Sequence, residues 1–158
     1  MRHTVPAFLM AIDFSFRDGA RSGLSFSFIP CDRDLFSQSG FDLSNTGVFS
    51  IREEAFLLVE GLIARSFPDW SATYRHWGTT WIGRATWLEI FARFDELRRD
   101  VTGNMPWRAI VTKYVLYVEL MPRKNKLHRK ALLTFLDRLE ERVSSLIRLH
   151  SYVLISGI

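Results

Sequence analysis

Residues 151–158 read SYVLISGI. The run is apolar, rich in β-branched residues and closed by Gly157, which is the composition of a short strand. It follows the most regular amphipathic stretch of the chain. From about Lys126 to Leu149, Leu132, Phe135, Leu136, Leu139, Val143, Leu146 and Ile147 recur at helical spacing, while Asp137, Arg138, Glu140, Glu141 and Arg142 fall on the other side. A strand at the very end of the chain needs a sheet to join. The candidates lie at the opposite end, where AIDFSF (11–16) and LSFSF (24–28) alternate with period two, placing Ile12, Phe14, Phe16, Leu24, Phe26 and Phe28 inward. RDGARSG between them is turn-rich, so the pair reads as a β-hairpin. An isolated hairpin is marginal alone. The expectation is an α+β fold: a small antiparallel sheet, made of the N-terminal hairpin and the C-terminal strand, packed by about four helices.

The chain between the ends supplies those helices. Residues 30–49 show no period and read as a long loop. From Ser50, a capping box with Glu53 opens a helix whose stripe is Ile51, Ala55, Leu58, Val59, Leu62 and Ile63, and Pro68 helps to end it. A second capping box, Thr86 with Glu89, opens another helix with Trp87, Ile90, Phe91, Phe94 and Val101 inward and Gly103 as its cap. Residues 106–121 are β-branched enough for a strand, but Trp107, Ile110, Val111, Tyr114, Val115, Val118 and Met121 share one helical face, and the run is long for a strand. We read it as helix.

The 158 residues fit one domain, 1–158, with a real core. Hydrophobic residues make up 47% and charged residues 24%, which excludes a disordered chain over most of its length. The single cysteine, Cys31, cannot form an intrachain disulfide and suits a reducing compartment. No apolar run reaches membrane-spanning length, and the N-terminal apolar run from Val5 to Ile12 is cut by Asp13 with no cleavage site after it. The expected location is the cytosol.

Four of the five tryptophans, Trp70, Trp77, Trp81 and Trp87, fall within residues 68–87. The first reading is a core layer with Trp77, Trp81 and Trp87 buried; a partner-binding groove is the second. Base stacking would need interleaved cations, and only Arg75 and Arg84 are present. TTWI, between Gly78 and Gly83, looks extended. GTTWIGRAT has the glycine spacing of a phosphate loop, but Arg84 replaces its lysine and Ala85 its hydroxyl.

No catalytic residue is assigned. The histidines His3, His76, His128 and His150 are scattered without zinc-ligand spacing, so neither a metal nor a cofactor is expected. A Cys31–His76 pair could meet in space, but Asp32 and Asp34 would raise the thiol pKa rather than lower it. Asp32 and Asp34, with Asp42 near, lack the glycine and glutamate of a calcium loop and read as a solvated loop.

Charge is lopsided. Residues 1–106 carry 11 Lys/Arg against 13 Asp/Glu, a net −2, and residues 107–158 carry 10 against 4, a net +6. The sharpest feature is PRKNKLHRK (122–130), with Arg123, Lys124, Lys126, Arg129 and Lys130. These five, with Asp32 and Asp34, are the candidate partner-binding residues. Positive charge at a helix start opposes the helix dipole, which suggests use on an acidic partner or a phosphate backbone; the same cations favour the end of the preceding helix.

SIREEAFLLVEGLIARSFPDW, WGTTWIGRATWLEIFARFDELRRD and the terminal SYVLISGI together resemble small bacterial immunity proteins, the antidotes of polymorphic toxin systems. The resemblance covers roughly residues 50–103 and the tail. It lies in Trp, Gly and helix punctuation, and it carries over no binding residue. It implies a non-enzymatic protein that binds and blocks a cognate toxin. A basic nucleic-acid-associated helical protein using 122–130 is the alternative.

Overall fold

The structure, a computed structural model, describes residues 11–21, 23–32, 47–121 and 128–157. Its strands are β1 (Phe16–Asp18), β2 (Ser25–Cys31), β3 (Phe49–Arg52), β4 (Gly78–Thr80) and β5 (Tyr152–Gly157). Its helices are α1 (Glu53–Ala64), the single turn α2 (Trp70–Thr73), α3 (Arg84–Thr102), α4 (Trp107–Tyr114) and α5 (Arg129–Leu149), with a 3-10 turn at Val118–Leu120. The strands form one sheet in the order β1-β3-β2-β5-β4, every pair antiparallel. The α+β class stands, and the N-terminal strand β2 and the C-terminal strand β5 pair in the sheet: Phe28 of β2 faces Ile155 of β5, and Phe26 faces Gly157.

The partners within the sheet differ from the hairpin expected. β1 and β2 do not pair with each other. β3 lies between them, with Phe16 and Phe26 on either side of Ile51. The reason is visible at Ser50. Instead of capping a helix, its hydroxyl donates to the Gly19 carbonyl (2.6 Å), and its backbone pairs with Arg17 and Ser27. The capping box at Ser50–Glu53 therefore does not form; α1 starts at Glu53 with no side-chain cap. Glu53 and Glu54 in the first turn suit the positive end of the helix dipole. Leu24 also departs from expectation, lying exposed just before β2. The second capping box fails likewise, because α3 begins three residues early, at Arg84, with an extended Gly83 rather than Thr86 in the cap position. Gly103 does follow its last turn.

Alternation along the strands divides the apolar residues. Phe26, Phe28, Phe49, Ile51, Val153 and Ile155 join the main core under the helices, and Ile29, Val48 and Leu154 form a smaller cluster with Cys31 and Trp81. The expected stripes of α1, α3 and α5 are all buried. α1 goes further: every residue from Ala55 to Ala64 is buried, Glu60 included, because the sheet, α3 and α4 surround it. Gly61 permits the α4 crossing, since a Cβ there would lie 2.2 Å from the Tyr114 carbonyl oxygen.

The helix read over 106–121 stops at Tyr114. Its Val-rich continuation has weak helix propensity. Lys113 and Tyr114 are fastened to Asp100 of α3, and Arg65 donates to the Lys113 carbonyl (3.2 Å). Beyond that anchor Val115 turns extended and stays buried, whereas Val118 is exposed. α3 and α5 are joined by Arg98, which donates to Asp95, Asp137 and Glu140.

A candidate functional site around Glu60 and His76

Glu53 and Glu60 stand seven residues apart on α1, two turns along one face. After the α2 turn the chain runs extended through Tyr74 and lays His76 between them. Gly157, at the end of β5, leaves room for this path: a Cβ there would lie 2.7 Å from the Phe26 ring and 3.1 Å from the His76 carbonyl oxygen.

The contacts are close. His76 Nδ1 lies 2.7 Å from Glu60 Oε1, and His76 Nε2 lies 3.1 Å from Glu53 Oε1. Tyr74 donates its hydroxyl to the same Glu60 Oε1 at 2.8 Å. Glu60 is fully buried and His76 is 8% exposed. Glu60 Oε2 is buried with no hydrogen-bond partner among the described residues. Burial raises the Glu60 carboxyl pKa above the usual range, against the opposing pull of His76 and Tyr74. Burial and the adjacent Glu60 push the phenols of Tyr74 and Tyr117 up. Both imidazole nitrogens face carboxylates, so the arrangement fixes the ring and presents no free nitrogen to an outside group.

Rings extend from this cluster to the surface. Phe26 stacks on Phe56 (3.9 Å between centroids) and on Trp77 (5.5 Å). His76 meets Trp77 edge-on at 4.6 Å and Tyr117 at 5.1 Å. Trp77 itself is 48% exposed, which overturns its expected burial; Trp87 is fully buried as expected, and Trp81 is half-buried. Leu24, whose carbonyl accepts from the Glu53 amide (2.9 Å), is exposed. Val118 and Leu120, just after Tyr117, are exposed too.

The residues nominated from sequence go elsewhere. Arg123, Lys124, Lys126 and Asp34 lie outside the described residues. Arg129 donates to the carbonyls of Val101 (3.3 Å) and Met105 (2.6 Å), closing the end of α3, while Lys130 is exposed. Asp32 accepts from the Ser151 amide (2.8 Å), the Ser151 hydroxyl (3.1 Å) and His150 (3.0 Å), tying the end of β2 to the α5–β5 junction. Cys31 and His76 are not brought together: His76 packs on Phe26, and Cys31 is five residues further along β2, about 17 Å at strand rise. Burial and Asp32 raise the Cys31 thiol pKa. No group of three metal-ligating side chains is arranged to hold an ion among the described residues, and no described helix is long and apolar enough to cross a membrane.

A cleft of about 620 Å³ opens between residues 12–15 and the start of α5, with Phe14 and Phe135 in its lining and His128, Lys130 and Arg138 beside them. It lies apart from the cluster on α1. Sequence reasoning missed Glu60, although AFLLVEGLIA (55–64) carried its signal: one carboxylate inside an otherwise apolar run, seven residues from another. No family model, curated protein or solved structure matches the chain.

Proposed function

We propose that the chain is a non-enzymatic binding protein that engages a protein partner through the face around Trp77, acting as an immunity-type inhibitor that binds and blocks a cognate toxin. The observation that carries the reading is Trp77. A large ring, half-exposed, is held from below by Phe26 and from the side by a histidine clamped at both nitrogens. Rigid exposed aromatics are favoured anchors, because little conformational entropy is lost when a partner covers them. Leu24, Val118 and Leu120 are further exposed apolar residues, and Arg75 and Glu119 are exposed charges in the same segments as Trp77 and Val118. The immunity-type assignment rests on the sequence resemblance.

The experiment is co-expression with the product of the reading frame immediately upstream, scored by growth and by calorimetry on the purified pair. Trp77→Ala should weaken binding by at least about 2 kcal/mol, roughly 30-fold, while the domain stays folded. Unchanged affinity and undiminished rescue in that variant would remove the reading.

A further inference from the structure

A nitrogen and a carboxylate oxygen at hydrogen-bond distance need one proton between them. His76 makes two such contacts at once, 2.7 Å to Glu60 and 3.1 Å to Glu53. Both therefore hold only while the three side chains share two protons, equivalent to an imidazolium between two carboxylates with a net charge of −1. We propose that Glu53, His76 and Glu60 form a two-proton latch that fixes the Trp77 face and releases it when one of those protons is lost.

The groups facing His76 are Glu53 and Glu60 from α1, Tyr74 from its own segment and Tyr117 from the chain after α4; β2 contributes only the uncharged Phe26 ring. Arg75 and Glu119 act on the cluster through Tyr117, and the Arg75 guanidinium is already spent on the carbonyls of Ala72 and Tyr74. No cation is paired directly to either carboxylate besides His76 among the described residues.

The two directions of pH are not equivalent. A third proton can enter at Glu60 Oε2, which has no partner, and burial favours the protonated acid there. Glu60 Oε1 would still accept from His76 and Tyr74, so acidification leaves the latch shut. Loss of a proton sets a nitrogen lone pair against a carboxylate oxygen. The contact that opens is the one to Glu53, which is longer and whose side chain reaches solvent, whereas the Glu60 side chain does not. The imidazole packed against Trp77 then loses one of its two supports. The latch itself needs no partner; its consequence for binding rests on the reading of Trp77 as an anchor.

The test reads the ring without any partner present. The protein is labelled with 5-fluorotryptophan, the Trp77 resonance is assigned with Trp77→Phe, and fluorine spectra are recorded from pH 5 to 10 alongside the nitrogen shifts of His76. The Trp77 resonance should follow a one-proton curve with the midpoint of the His76 nitrogens, while buried Trp87 stays still. In Glu53→Gln the carboxamide can accept from or donate to Nε2, so the contact no longer depends on the proton and the Trp77 response should disappear. A Trp77 resonance that does not move while the protein stays folded overturns the latch, as does an identical titration in Glu53→Gln. Either result leaves the binding reading standing. Conversely, a toxin whose binding ignores Trp77→Ala removes the binding reading and leaves the latch.

Discussion

Gly61→Ala sets two effects of opposite sign against each other. In an exposed helix interior this change stabilises by about 1 kcal/mol, because alanine is the better helix former. At position 61 the new Cβ would lie 2.2 Å from the Tyr114 carbonyl oxygen, about 1 Å inside an ordinary contact. The obstacle is backbone, held by Lys113 and Tyr114 to Asp100 and by Arg65 to the Lys113 carbonyl, so no side-chain rotation relieves it. Overpacking of this kind costs about 3 kcal/mol, toward the upper end of its usual range. The difference is a net loss of about 2 kcal/mol. For a chain of this length that lowers the melting temperature by roughly 4–8 °C. Urea unfolding monitored by circular dichroism should give a lower midpoint with an unchanged slope. The shift of α4 would also carry Tyr117 away from His76, so the Trp77 environment should change with it. A variant as stable as the parent, or more so, would refute the close α1–α4 crossing.

Two further predictions test other parts of the frame. Trp87→Ala should cost about 3–5 kcal/mol in the same unfolding assay, because it empties a fully buried site and leaves the Val153 carbonyl without its indole donor (3.2 Å); a loss below about 1 kcal/mol would place that ring outside the core. The Asp32 carboxyl is held below its usual range first by the Ser151 amide and then by His150 and the Ser151 hydroxyl. Its stabilising contribution is therefore present above pH 3.8 and lost as pH falls through the depressed native value. Unfolding of the parent and Asp32→Asn across pH 2–7 should show the parent's advantage at neutral pH shrinking in acid, and an advantage constant over that range would contradict the assignment.

The helices were legible where their faces were two-sided. α5 shows seven buried positions that are the seven of its sequence stripe. The C-terminal strand was legible because its β-branched run follows a finished helix; of the extended TTWI, only Thr79 and Thr80 fall in a strand, β4, which starts at Gly78 itself and which the expected sheet lacked. β3 was not legible. Its four residues FSIR run straight into α1, and Ser50 with Glu53 imitates a cap; only the Gly19 carbonyl and the strands on either side decide for extended backbone. Trp77 was misread for a related reason. Composition places a tryptophan inside, but its neighbours Phe26 and His76 already fill the space beneath it. The basic segment illustrates the converse, since Arg129 is a charge that local sequence marks as a surface feature and that the fold uses as an internal tie.

The carboxylate of Glu60 works against the stability of the helix that carries it. Ten consecutive residues of α1 are buried, and nine are apolar or glycine; a leucine at position 60 would complete the pattern. Burying a carboxylate costs several kcal/mol unless it is paired, and this one keeps an oxygen without a partner. Hydrogen bonds from Tyr74 and His76 offset part of that cost, yet an apolar residue would need no offset. What an apolar residue at 60 could not do is fix the imidazole. Without Glu60, His76 would keep one anchor of two, and the ring packed against Trp77 would be free to turn. The one buried charge in α1 thus serves the geometry of an exposed side chain on the other side of the histidine. That is the arrangement expected when surface preorganisation, rather than core stability, sets the residue.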